Sequence, residues 1–215
     1  MKIAKGSKLV MIGDSITDVG RAQPIGEGRN DALGRGYVAF VDALLNTVYP
    51  ELKIRVVNMG TGGHCVRDLK ARWQTDVLDL KPDWLSIMIG INDVWRQFDL
   101  PKQTNRHVYP DEYEATLDEL AARSAPSLKG LVLMTPYFIE TNRNDAMRQQ
   151  MDCYGAIVKK LAAKHKAIFV DTQAPFDEAL KTCHSMTLAW DRVHPNAVGH
   201  MLLARAFLNS VGFEW

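Results

Sequence analysis

The sequence predicts an α/β fold: a five-stranded, mostly parallel sheet with helices on both faces, making three layers. Three observations predict it. Five short apolar runs recur along the 215 residues. The stretches between them carry helical spacing. Glycine-rich or polar clusters stand directly after most of the runs. Short buried strands alternating with helices are what a parallel sheet covered on both faces requires. Right-handed crossovers then place the loops at 13–18, 58–64, 90–95, 135–144 and 171–195 along one edge. Ligands bind at that carboxyl edge. No internal repeat or linker divides the chain, so residues 1–215 are expected to form a single domain.

The elements follow in order. Leu9–Ile12 is the first strand, ended by Gly13. Residues 18–33, rich in Gly, Arg, Asp and Asn, read as a loop. Tyr37, Phe40, Val41, Leu44, Leu45 and Val48 define a helix over 36–49, stopped by Pro50. Ile54–Val57 is the second strand, and the turn from Asn58 to His64 leads to a helix through Leu69, Trp73, Val77 and Leu80. Trp84–Ile89 is the third strand; Gly90-Ile91-Asn92-Asp93 reads as a turn, with a loop over roughly 95–110. Tyr113, Leu117 and Leu120 mark the next helix and Leu131–Met134 the fourth strand. A long helix over 147–164 precedes the fifth strand, Ile168–Val170. Residues 172–188 hold a short helix and a polar loop. The last helix, about 196–209, is expected to turn Val198, Met201, Leu202, Ala206 and Phe207 inward.

Composition narrows the function. The formal charge is +1 and there is no basic stripe, which argues against nucleic acid. No apolar run reaches the roughly 18 residues of a membrane span, and Leu9–Ile12 is too short for a signal-peptide core. Cys65, Cys153 and Cys183 are odd in number, widely spaced and fit no metal pattern, so reduced thiols in the cytoplasm are expected. His64 beside Cys65 is no metal pair, because adjacent side chains rarely converge on one ion. No metal or organic cofactor is expected.

Four polar clusters fall at the carboxyl ends: Gly13-Asp14-Ser15, Gly60 to Gly63, Gly90 to Asp93, and Asp191-Arg192-Val193-His194-Pro195. Read locally, Ser15 or Asp14 serves equally well as a helix cap. Together the clusters describe nucleophilic catalysis. A serine attacks only if its proton can leave, and an imidazole in reach can take it. Asp191, three residues before His194, can fix the imidazole, and Pro195 holds His194 extended. The amides of Ser15 and Gly63 and the side-chain NH2 of Asn92 can receive the oxygen that becomes negative. Asp93 is expected to tie loops together, and Asp14 to accept backbone N–H bonds around the turn. The turn Gly60-Thr61-Gly62-Gly63 lacks G-x-G-x-x-G, which makes a nucleotide site a distant alternative.

These clusters resemble the four blocks of the SGNH hydrolases of the GDS(L) class, and they span almost the whole chain. The resemblance implies a flavodoxin-like α/β/α sandwich, with Ser15 as nucleophile, Gly63 and Asn92 completing the oxyanion hole, and Asp191 and His194 as acid and base. The stretches Lys81–Gln97 and Leu188–Pro195, and the terminal Val-Gly-Phe-Glu-Trp, are further similar to bacterial intracellular acetylxylan esterases. That likeness implies an acetylated xylo-oligosaccharide as substrate and a homo-oligomer. Those relatives usually carry Ser-Gly-Asn in the second block, where this chain has Gly62-Gly63-His64. A broad short-chain esterase, lysophospholipase or thioesterase of the same family is the alternative, and a non-catalytic carbohydrate-binding protein a third reading. Trp95, Arg96, Tyr137 and Trp190 stand near the expected edge and suit a sugar face, and His64 is expected to face solvent or the substrate. Phe213 and Trp215 either seal the last helix or form a subunit contact; the contact is the preferred expectation.

Overall fold

The computed structural model describes residues 1–215. Five parallel strands are arranged in the order β2-β1-β3-β4-β5. They are β1 (Lys8–Gly13), β2 (Arg55–Gly60), β3 (Trp84–Met88), β4 (Gly130–Met134) and β5 (Ile168–Val170). Almost every residue of the three inner strands is buried, which is why they read as unbroken apolar runs rather than alternating ones. β1 pairs with β2 from Lys8↔Arg55 to Gly13↔Gly60, and with β3 from Leu9↔Trp84 to Gly13↔Met88. The chain leaves β1 toward β2 and returns past it to β3, so the strand order reverses beside the end of β1, where a crevice opens.

The helices are α1 (Ser15–Asp18), α2 (Tyr37–Val48), α3 (Val66–Ala71), α4 (Ile91–Asp99), α5 (Pro110–Ser124), α6 (Ala146–Lys164), α7 (Gln173–Ala179) and α8 (Ala197–Ser210). α2 packs with α8, while α5 packs with α3 and α6. One continuous core runs through the sheet from Tyr37 and Phe207 to Trp73 and Tyr154.

Three expectations need correction. The loop expected over roughly 95–110 starts later: Ile91 to Asp99 is helical, with Asn92 and Asp93 in its first turn, and the loop runs over 100–109. The helix's apolar positions Ile91, Val94, Trp95 and Phe98 do carry helical spacing, but the stretch is short and Gly-x-Asn-Asp resembles a turn. The last helix has a different inner face: Gly199, His200, Leu203, Ala204, Phe207 and Leu208 are buried, and Val198 is exposed. Asn196 fixes that phase, because its side chain accepts from the amides of Val198 and Gly199. The helix through Trp73 and Val77 breaks after Ala71 and continues as a π-turn over Gln74–Leu78.

At the C-terminus the two aromatics part company. Phe213 is buried against Tyr49, with ring centroids 5.3 Å apart, and so seals the end of α8. Trp215 is 60% exposed, its Nε1 donating to Asn209 Oδ1 at 2.6 Å.

Candidate active site

Gly13 ends β1 because nothing larger fits: a Cβ there would lie 2.3 Å from the carbonyl oxygen of Met88 and 2.4 Å from Thr17 Oγ1. The chain therefore turns sharply and starts α1 at Ser15. Asp14 caps it, its Oδ1 accepting from the Ile16 amide at 3.0 Å. As the first helical residue, Ser15 has no carbonyl within the helix for its own amide.

The Ser15 hydroxyl donates to His194 Nε2 at 2.8 Å across 179 residues. His194 Nδ1 in turn lies 2.6 Å from Asp191 Oδ2. The other carboxylate oxygen, Oδ1, accepts from the amides of Val193 at 3.0 Å and His194 at 2.8 Å. Arg192 adopts a φ of +65°, which folds the loop back far enough for one carboxylate to meet both backbone and ring. Burial pushes Asp191 up, but the imidazole of His194 and the two amides outweigh it and hold the carboxyl below its usual range. The ionised form is thus fixed opposite Nδ1, leaving Nε2 to accept from the serine.

Gly63 has a φ of +78°, and its N–H makes no hydrogen bond within the protein. Asn92 Nδ2 donates one hydrogen to the carbonyl of His64 at 2.9 Å, while Oδ1 accepts from Arg96 Nη2 at 3.3 Å. These two bonds fix which way the amide points and leave a second Nδ2 hydrogen available. A cavity of about 200 Å³ borders Gly63, Asn92, Cys65 and Arg96. Asn92→Ala is expected to lower kcat by about 10²–10³-fold if its amide receives an oxyanion. Steady-state rates on a short acyl ester measure this, and an unchanged kcat would take Asn92 out of the role.

Among the remaining residues singled out by sequence, Trp95 is half-buried, with its ring centroid 5.8 Å from that of His194. Arg96 lies over Trp95 at 5.3 Å and pairs with Asp99. Trp190 stands on the rim, 79% exposed, beside a cleft of about 740 Å³ that Met186, Arg192 and Glu140 also line. Tyr137 is not a surface for a sugar. It is fully buried, stacks on Phe176 at 4.4 Å, and donates to the Val193 carbonyl at 3.1 Å. A strand-end aromatic looks alike in sequence whether it faces the crevice or the core. Here Tyr137 supports the 191–194 loop from beneath.

Asp93 is fully buried. Its Oδ1 accepts from the Val66 amide at 3.0 Å, tying α4 to α3, and its Oδ2 has no partner. Burial pushes both Asp14 and Asp93 up to about 7, with the Asp14 charge adding to the effect on Asp93. An acid whose folded pKa is raised binds protons more readily folded than unfolded. Its contribution to stability is therefore complete below the unfolded value near 4 and is lost as pH rises through about 7. Asp93→Asn removes that term. The stability difference, variant minus parent, should grow from pH 4 to pH 8 in urea unfolding. A flat difference would show that Asp93 titrates alike in the folded and the unfolded chain.

Sequence reasoning passed over Arg72. Its guanidinium reaches the carbonyls of Gly13 and Met59 and the ring of His64. The only local signal was Asp76, four residues on, which reads as an ordinary helix pair.

Residues 11–202 match the model of the GDSL-like lipase/acylhydrolase family. An acetylxylan esterase of Geobacillus stearothermophilus is 62% identical over 215 residues, covering 100% of this chain and 98% of its own length. A crystal structure of that enzyme, Axe2, in its catalytic mutant S15A superposes with a TM-score of 0.99, covering 100% of this chain and 98% of that one. An α/β hydrolase from the metagenome of Lake Arreo, 57% identical, superposes at 0.97 over 99% of this chain and 98% of its own.

Proposed function

The chain belongs to the GDSL-like lipase/acylhydrolase family, and on that premise we propose that it removes acetyl groups from acetylated xylo-oligosaccharides through an acetyl-serine intermediate. The observation that carries the reading is the full-length 62% identity to an acetylxylan esterase. It is joined by an unbroken line from Ser15 through His194 to Asp191 in this molecule.

The reaction follows from the geometry. Ser15 Oγ attacks the acetyl carbonyl as Nε2 of His194 takes its proton. The carbonyl oxygen becomes negative and is met by the Ser15 and Gly63 amides and the free Nδ2 hydrogen of Asn92. Asp191 stabilises the imidazolium without itself becoming protonated. Collapse breaks the bond to the sugar oxygen, which leaves with the proton from Nε2. Water then attacks the acetyl-serine, His194 again taking the proton, and acetate departs as Ser15 is restored. No step requires a metal or an organic cofactor.

Trp95 beside the histidine and Trp190 on the rim supply flat apolar faces of the kind sugars stack on. The exposed Trp190, Met186 and Trp215 also support a homo-oligomer, since large apolar side chains held in water are more stable covered. Light scattering on the purified chain reads that assembly directly. Three free, separated cysteines favour a reducing compartment and hence the cytoplasm.

Acetate release from acetylated xylo-oligosaccharides, set against hydrolysis of model esters of increasing acyl length, tests the substrate. The expected result is preference for the acetylated sugar and falling rates as the acyl chain lengthens. Faster turnover of long acyl chains would replace the sugar assignment with a lipase or thioesterase reading.

A further inference from the structure

We propose that Arg72 is a positioning residue for catalysis, holding the nucleophile turn and the oxyanion loop in register through the imidazole of His64. The proposal rests on the acyl-transfer reading of Ser15, Gly63 and Asn92.

Three donors from three separate segments must converge on one oxygen. Two of those segments are short turns at the ends of β1 and β2. The turn carrying Gly63 is lightly held: Gly62 and Gly63 are exposed, and a Cβ on Gly63 would meet nothing within 4 Å. Its backbone tethers are Thr61 N to Gly13 O at 3.1 Å and His64 N to Thr61 O at 3.4 Å, and Gly62 N reaches Asp18 Oδ2 at 3.0 Å. The guanidinium of Arg72, its side chain 13% exposed, sits behind this turn. Nη2 donates to Gly13 O at 2.8 Å, the carbonyl just before Asp14 and Ser15. Nη1 donates to Met59 O at 2.7 Å, near the end of β2, and to Asp76 Oδ2 at 2.7 Å. Nε donates to His64 Nδ1 at 3.1 Å. The same residue, His64, accepts Asn92 Nδ2 on its carbonyl. One planar fork thus joins the strand that ends at the nucleophile to the loop that presents Gly63 and, through the His64 carbonyl, holds Asn92.

The chemistry of the fork also fixes His64. A guanidinium can only donate, so Nδ1 must be the unprotonated nitrogen and the ring proton sits on Nε2. Burial and the Arg72 charge both lower the tendency of the ring to take a second proton, against the opposing charges of Asp68, Asp76 and Asp18. A lysine in place of Arg72 keeps the charge but lacks the rigid fork that spans four acceptors.

The test reads geometry separately from charge and from folding. Arg72→Lys, His64→Leu and His64→Asn are compared with the parent on p-nitrophenyl acetate, with thermal unfolding of each recorded and the affinity for phenylboronic acid measured. The boronate adds to Ser15 Oγ and places an oxygen in the oxyanion hole. Arg72→Lys is expected to lower kcat by up to about 10²-fold, the penalty of roughly 1 Å of misplacement. KM should change little, and boronate affinity should fall by the same factor as kcat. His64→Leu, which removes the acceptor, should lose in the same direction, and His64→Asn, whose amide oxygen can accept from Nε, should recover most of that loss. Parent-like kcat and boronate affinity in Arg72→Lys would overturn the proposal, as would a loss matched by the fraction unfolded. If Arg72→Lys does not fold, the histidine pair decides: equal rates for Leu and Asn at position 64 overturn it. An inactive parent would instead refute the acyl-transfer reading.

Discussion

Ser15→Ala is expected to lower kcat by on the order of 10⁶-fold, the loss seen when a nucleophile that acts as part of a unit is removed. The reason lies in where the hydroxyl stands. Its partner is His194 Nε2 at 2.8 Å, so without it the imidazole has no proton to take and the acyl group no atom to join. What survives is the anion-receiving turn, which by itself accelerates attack by water by about 10³–10⁴-fold. Folding should be unaffected, because the histidine ring left behind is partly exposed and can turn to solvent. The measurement pairs acetate release with mass spectrometry of the acid-quenched enzyme. The parent should show an acetylated protein and the variant none. Turnover retained in Ser15→Ala would remove the nucleophile and the acetyl-serine with it.

Asp191→Asn is expected to cost about 10⁴-fold in kcat while leaving the loop folded. One oxygen of Asp191 is already committed to the amides of Val193 and His194. An asparagine must offer its carbonyl oxygen there, since amides need an acceptor. Its NH2 then faces Nδ1 of His194 and donates to it. The imidazole proton is driven to Nε2, where it points at Ser15 and blocks proton transfer. Removal of the side chain in Asp191→Ala frees the tautomer and should be less damaging. Rates of the two variants side by side check the argument. An asparagine variant as active as the parent would mean that the carboxylate neither orients the ring nor supports its charge.

The site was legible where chemistry and strand ends coincide. Ser15 and Asn92 closely follow the buried runs of β1 and β3, Asp191 and His194 lie in the excursion between β5 and α8, and a parallel sheet leaves those ends on one edge. Tyr137 was not legible in the same way. It follows β4 as Trp95 lies beyond β3, yet one ring is buried beneath the histidine loop and the other faces the histidine. Arg72 showed only its ordinary pairing with Asp76, because the acceptors that tie it to the site include the backbone carbonyls of Gly13 and Met59, and a carbonyl is the same at every position.

By itself the sequence determined the five strands, their order of use as site-bearing ends, and the reaction class, because strand burial and residue chemistry are properties each segment carries locally. Only the tertiary structure decided that residues 91–99 form a helix carrying Asn92, which face of α8 is buried, that Tyr137 props the catalytic loop, and that Arg72 bridges two strands. Those facts depend on the direction a side chain takes once remote segments pack. Direction is set by neighbours distant in the chain, which no local pattern encodes.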